Sequence, residues 1–241
     1  TTLLPILPVG GVSEDCDIPV LVDEANGKLL VVKNNNANHL YLYRCNLDGT
    51  GCVTGGLSGP SIGRCSRALL HDSKLLVVRP SNPAQPTLFR CGLDGSGCAQ
   101  DTISTKTTSQ ISVALDAANG KIVMVSHATN DTFLSFDRCN LDGTGCAGGP
   151  LGLPDALNNV RDPHLVLDPV HKKLFAFYFG GDARANFARC ELDGTKCANV
   201  VLTPTQNIGG YHTSAVVHEG KLIAVSSSAT SSLFHTTLAA Y

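Results

Sequence analysis

The chain has 241 residues, 43% of them hydrophobic, which is enough to bury one sizeable core or two small ones. A formal net charge of −2 and a pI near 6.4 offer no basic footprint for nucleic acid or for an anionic membrane surface. No apolar run approaches the roughly 20 residues of a spanning helix, so nucleic-acid partners and membrane insertion are both set aside.

Taken in chain order, residues 1–8, TTLLPILP, stand before the first repeat as NVVLTPT from Asn199 stands before the fifth. The first repeat has a strand ending at Asp23, a turn at Asn26-Gly27, a strand opening Lys28-Leu29-Leu30, the loop KNNNANH from Lys33 and the nonapeptide RCNLDGTGC from Arg44. The second follows the same order with Asp72-Ser73, Lys74-Leu75-Leu76, RPSNPAQP from Arg79 and RCGLDGSGC from Arg90. The third has Asn119-Gly120, Lys121-Ile122-Val123, SHATNDT from Ser126 and RCNLDGTGC from Arg138. In the fourth, strands are expected over 164–168, 173–179, 186–190 and 197–204, with a turn over 169–172, the loop GGDARAN from Gly180 and RCELDGTKC from Arg189. The fifth has Glu219-Gly220, Lys221-Leu222-Ile223 and SSSATSS from Ser226, and ends after a third strand over 233–238.

Short β-branched and apolar runs between turn clusters mark an all-β fold, and helix signals are absent. The nonapeptides start 46, 48 and 51 residues apart, within the range of about 40 to 50 residues usual for propeller blades. The fifth repeat lacks a fourth strand, and residues 1–8 can supply it. The expectation is therefore one domain over 1–241, a five-bladed β-propeller of four-stranded blades whose ring is closed by the N-terminal strand. A linear solenoid would need polar capping repeats, and none is visible.

The run LDPVHKKLFAFYF from Leu167, followed by ARCELDGTKC from Ala188, resembles the YWTD repeat of lipoprotein-receptor propellers. That resemblance implies extracellular ligand binding on a propeller face. The five-blade scale is also similar to that of tachylectin-like lectins, which implies amino-sugar binding between blades.

Ten cysteines, eight of them in four C-x6-C units, suggest an oxidising compartment. Met124 is the one methionine and the numbering opens at Thr1, so a removed signal peptide or tag is expected, as for a secreted, extracellular protein. The sequon Asn130-Asp131-Thr132 is compatible with that route. Asp-Gly within each unit is hairpin chemistry that sets the two cysteines opposite each other. Disulfides Cys45–Cys52, Cys91–Cys98, Cys139–Cys146 and Cys190–Cys197 follow, since two thiols per blade are too few for a structural zinc. Cys16 and Cys65 hold equivalent places in adjacent repeats and either form an interblade bridge or stay as two buried thiols.

In a four-stranded meander the near-identical hairpins share one face with the short A-to-B turns, and turn geometry explains those residues. The other face carries the loops that differ between repeats, which suits binding. Asn34, Asn36, Asn82, Gln85, Asn130, Asp182, Arg184 and Asn186 there offer groups suited to sugar hydroxyls or polar protein surface. A second candidate is the mouth of the central channel, at the position six residues before the end of each first strand: Asp17, Ser66, Gln110, Asp162 and His212, with His164 two residues beyond Asp162. Such a group could hold a divalent cation, perform acid/base chemistry or simply form a hydrated rim.

No phosphate-cradling loop, HExxH helix, GxSxG elbow or EF-hand loop is present in the sequence, and no cofactor is expected. The leading function is a secreted, lectin-like module with repeated sites and an extracellular glycan ligand; a protein-interaction propeller with a protein ligand is the alternative. A hydrolase using the channel-mouth carboxylates is a third reading, so catalytic activity stays open. There is no Trp among the aromatics, so sugar stacking would fall to Tyr41, Phe133, Phe136 and Tyr178.

Overall fold

The computed structural model describes residues 19–34, 40–57, 66–80, 85–103, 108–127, 133–151, 153, 160–179, 185–201, 213–219, 221–227 and 233–238. Sheet 1 contains β1 (Val20–Asp23), β2 (Lys28–Asn34), β3 (Leu40–Asn46) and β4 (Val53–Gly56). Sheet 2 contains β5 (Arg67–His71), β6 (Lys74–Arg79), β7 (Thr87–Gly92) and β8 (Ala99–Thr102). Sheet 3 contains β9 (Gln110–Asp116), β10 (Lys121–His127), β11 (Ser135–Asn140) and β12 (Ala147–Pro150). Sheet 4 contains β13 (Arg161–Asp168), β14 (Lys173–Phe179), β15 (Ala185–Glu191) and β16 (Ala198–Val201). Sheet 5 shows β17 (Thr213–His218), β18 (Lys221–Ser227) and β19 (Leu233–Leu238). Each sheet is an antiparallel meander in chain order. Residues 1–8, expected to complete sheet 5, lie outside the described residues.

The third-to-fourth-strand hairpin is one structure made four times. In sheet 1, Gly49 N donates to Asn46 O at 2.9 Å and Asn46 N donates to Thr50 O at 2.8 Å, a type I turn followed by a left-handed glycine with φ of 81°. Gly95, Gly143 and Gly194 take the same place with φ of 82°, 85° and 80°. Asp48 Oδ1 secures the loop by accepting from Thr50 N at 2.9 Å and Thr50 Oγ1 at 2.7 Å. A second left-handed residue, Gly51, Gly97, Gly145 or Lys196, then brings the cysteines opposite each other. The four expected hairpin disulfides are formed, with Cα separations of 4.0 to 4.1 Å. Cys16 and Cys65 lie outside the described residues.

Chain contacts divide the protein into two compact units, Thr1–Thr107 and Thr108–Tyr241. In the first, Leu30, Val32, Leu40 and Leu42 of sheet 1 pack with Leu75, Val77 and Phe89 of sheet 2. In the second, β14 explains why the fourth repeat reads as an unbroken apolar run. Its residues alternate: Leu174, Ala176 and Tyr178 pack towards sheet 3 with Val123, Val125 and Phe136, while Phe175 and Phe177 pack towards sheet 5 with Leu222 and Ala224. Both faces are buried, so the period of two is visible in packing and hidden in hydropathy. Burial of each Leu, Val or Phe among them contributes about 1.5 to 3 kcal/mol.

In the fourth repeat the starts of three strands differ from expectation, β15 and β16 by one residue each and β13 by three. β13 begins at Arg161 because a register shift between Arg161 and His164 carries the ladder past Asp162, whose φ is +49°. Asn186, expected to open the third strand of this repeat, is the second residue of β15 and sits opposite Tyr178. The first-to-second-strand turns at Asn26-Gly27 and Asn119-Gly120 include single 3-10 turns over Glu24–Asn26 and Ala117–Asn119, each closed by a left-handed glycine.

Candidate functional site

The loop face is described in part. Asn34 ends β2, and exposed Gln85 accepts from Thr87 Oγ1 through its carbonyl at 3.5 Å. Asn186 is 6% exposed, so its side chain belongs to the interior of sheet 4 and not to a solvent-facing loop. Asn36, Asn82, Asn130, Asp182 and Arg184 lie outside the described residues. Of the aromatics considered for stacking, Tyr178 and Phe136 are core residues at 1% and 6% exposure, with Tyr178 Oη donating to Asn199 Oδ1 at 2.7 Å. Tyr41 and Phe133 are half-buried.

At the expected channel position, Gln110 and Asp162 form a reciprocal bracket. Gln110 Nε2 donates to Asp162 Oδ1 at 2.9 Å, and Asp162 N donates to Gln110 Oε1 at 2.8 Å. Next along β13, Leu165 N donates to Ser112 Oγ at 2.9 Å, and His164 Nε2 accepts from Ala215 N at 3.2 Å. These bonds tie the first strands of sheets 3, 4 and 5 together, which is a positioning role. Asp17 and His212 lie outside the described residues. Among the described residues no group of three His, Cys, Asp or Glu side chains converges to hold a metal.

A cavity of about 300 Å³ lies instead on the hairpin side of the first unit, between sheet 1 and the Asp94 hairpin of sheet 2. Its lining is Lys28, Leu42, Arg44, Gly51, Val53, Thr54, Gly55 and Asp94. Strand alternation puts Arg44 on β3 on the face opposite Cys45, and Gly55, on the same face of β4, leaves the space before it without a side chain. Lys28 Nζ donates to Asn46 Oδ1 at 2.6 Å and is held at the rim. Asp94 Oδ1 accepts from Ser96 Oγ at 2.7 Å and from Ser96 N at 3.0 Å. The Ser96 hydroxyl, then its backbone N–H, hold the Asp94 carboxyl below the ordinary carboxylate range, with the charge of Arg44 adding to the effect. The cavity thus offers two cations, one carboxylate held ionised and the apolar surface of Val53.

Sequence reasoning assigned Lys28, Arg44 and Asp94 to turns and strands, and no motif marks them as a group. The signal that could have found them is a difference between repeats: Gly55 stands eleven residues after Arg44, where Asp101 stands eleven after Arg90.

No protein-family model and no curated protein matches the sequence. By structure, the chain is similar to the nidogen propeller of a nidogen–laminin complex, with 13% identity, coverage of 92% of this chain and 79% of that one, and a TM-score of 0.58. It is also similar to Aleuria aurantia lectin, solved with Fucα1-6GlcNAc, at 15% identity, 87% and 70% coverage and a TM-score of 0.62. AofleA from Arthrobotrys oligospora gives 13% identity, 88% and 65% coverage and a TM-score of 0.66, so this chain spans just under two thirds of it. At these identities the likeness is one of fold, and that fold is of the propeller type.

Proposed function

We propose that this chain is an extracellular carbohydrate-binding module built on one five-bladed ring, residues 1–8 supplying the last strand of the fifth blade. The observation that carries the reading is the cavity between sheets 1 and 2, where charged and apolar groups face one small volume. Propeller neighbours that include a fungal lectin solved with a fucosylated disaccharide support it. Four hairpin disulfides fit an oxidising compartment and help such a module to persist there. Further sites on the loop face, with Asn34, Asn36, Asn82, Gln85, Asn130, Asp182 and Arg184, would add avidity.

A glycan-array screen of the oxidised protein tests this reading, repeated with Asn34, Asn82 and Asn130 changed to Ala. Binding that falls with the triple substitution supports loop-face sites, and binding unchanged by it restricts recognition to the hairpin side. Absence of binding to every glycan overturns the lectin reading in favour of a protein-interaction propeller, for which the nidogen–laminin neighbour is the supporting observation.

A further inference from the structure

The four arginines of the repeated nonapeptide are treated differently by their surroundings. Arg90 is closed by a carboxylate of its own sheet, with Nε and Nη2 donating to Asp101 Oδ2 at 3.1 and 2.6 Å. Arg138 is held by Asp116, Nη2 to Oδ2 at 2.7 Å. Arg189 is exposed to solvent. Arg44 is half-buried, its Nε has no hydrogen-bond partner, and it makes no ion pair among the described residues. Neither carboxylate that serves its equivalents bonds to it. Gly55 occupies the place of Asp101, and Asp23, the counterpart of Asp116, accepts from the Asn26 side chain as Asp116 does from Asn119 but takes no bond from Arg44.

A half-buried guanidinium facing an open space of about 300 Å³ lacks the acceptor that Arg90 and Arg138 possess. We propose that this cavity binds an acidic monosaccharide, whose carboxylate takes on Arg44 the place that Asp101 occupies on Arg90. The proposal rests on the lectin reading and specifies its ligand class. The cavity is at the small end of ligand sites, the size of one sugar unit. Asp94 opposes a bare anion but suits a sugar acid, because Asp94 Oδ2 takes no hydrogen bond among the described residues and can accept from a ring hydroxyl. The C–H face of the ring can lie on Val53.

The decisive variant is Gly55→Asp, which supplies the missing carboxylate from within. A Cβ at Gly55 meets Asp94 O at 3.5 Å, an ordinary contact, so the substitution fits the existing backbone. Calorimetric titration with D-glucuronate, D-glucose and acetate should show glucuronate binding at least tenfold tighter than the other two. Gly55→Asp and Arg44→Met should each lower glucuronate affinity tenfold to hundredfold, about what one charge-assisted pair provides. Circular dichroism and a thermal midpoint retained or raised in Gly55→Asp would show that the fold is intact. Glucuronate affinity unchanged in a folded Gly55→Asp variant overturns the assignment of the cavity and leaves the lectin reading standing. Acetate binding as tightly as glucuronate overturns recognition of the sugar. Neutral glycans bound on the array with no affinity for glucuronate overturn this inference alone, and no glycan bound at all removes the lectin reading with it.

Discussion

Gly194, in the hairpin of sheet 4, lies against the ring of Phe136 on sheet 3, so close that a Cβ on Gly194 would come 2.7 Å from Phe136 Cδ1. Phe136 is a core residue and cannot swing away. Gly194 also has a φ of +80°, which costs a side-chain-bearing residue about 1 to 2 kcal/mol. Adding the strain of overpacking, Gly194→Ala is expected to destabilise the protein by about 2 to 4 kcal/mol in urea unfolding. Introducing Phe136→Leu alongside should recover the steric part and leave the backbone part. The pairing of Gly95 with Leu42 and Leu57 in the first unit, with Cβ distances of 3.6 and 3.1 Å, already shows a roomier version of this contact.

Lys196 provides the opposite experiment. It holds φ at +51° where the other three hairpins have glycine. Replacing it with glycine relieves left-handed strain but loosens the unfolded chain, so Lys196→Gly should stabilise by about 0.5 to 1 kcal/mol. The reverse changes should rank in order. Gly97→Ala meets no atom within 4 Å and pays for φ alone, whereas Gly145→Ala also drives Cβ to 2.8 Å from Asn140 Nδ2. Asn140 is anchored by Lys121 Nζ, which donates to its Oδ1, so moving it breaks that bond. Equal unfolding free energies for the two alanine variants would show that Asn140 moves at no cost.

The hairpins were legible because everything that makes them lies within nine residues: Asp48 caps Thr50, Gly49 takes the left-handed place, and Cys45 and Cys52 meet across the turn. The repeat was legible for the same reason, each copy restating local chemistry. Arg44 was not, because its meaning depends on Gly55 eleven residues later and on Asp94 in the next repeat, and no local pattern encodes a missing side chain. Asn186 was expected both to open a strand and to serve on the loop face; it lies in the strand, and its pairing with Tyr178 on β14, which precedes it in the chain, keeps its side chain buried there. Gln110 and Asp162 were found as a position, but that they would bond to each other, 52 residues apart, follows from the packing of β9 on β13.

Acid should weaken the hairpins in a residue-specific way. Asp48 is held below the ordinary carboxylate pKa of about 3.9 first by the Thr50 backbone N–H and then by its hydroxyl. For Asp94 and Asp193 the hydroxyls of Ser96 and Thr195 come first, followed by the backbone N–H. A carboxylate with a depressed folded pKa contributes stability above its unfolded pKa, and that contribution is lost as pH falls through the folded value. The loss therefore falls below about pH 4. Carboxyl carbon shifts in an NMR titration would check it. Ser96→Ala should return the largest single share of the Asp94 shift, while Thr50→Val should return only the second share of that of Asp48, since the backbone donor survives. Equal recovery in both variants would contradict the order of causes.

His164 yields a prediction about protonation state. In an antiparallel strand the N–H and C=O of one residue point the same way, so the His164 ring edge faces both Ala215 N, at 3.2 Å, and Ala215 O, at 3.4 Å. One nitrogen cannot accept from the first and donate to the second at once. The shorter, aligned N–H contact makes Nε2 the acceptor, which requires the neutral ring with its proton on Nδ1. Long-range proton–nitrogen correlation spectra near neutral pH should show that tautomer. Replacing His164 with Phe would leave the Ala215 N–H without its acceptor, costing about 1 to 3 kcal/mol and speeding exchange of that amide, with partial rescue by Gln. A proton found on Nε2, with Ala215 exchange unchanged in the Phe variant, would mean that the bond runs to Ala215 O and that β13 and β17 are joined by the ring as a donor.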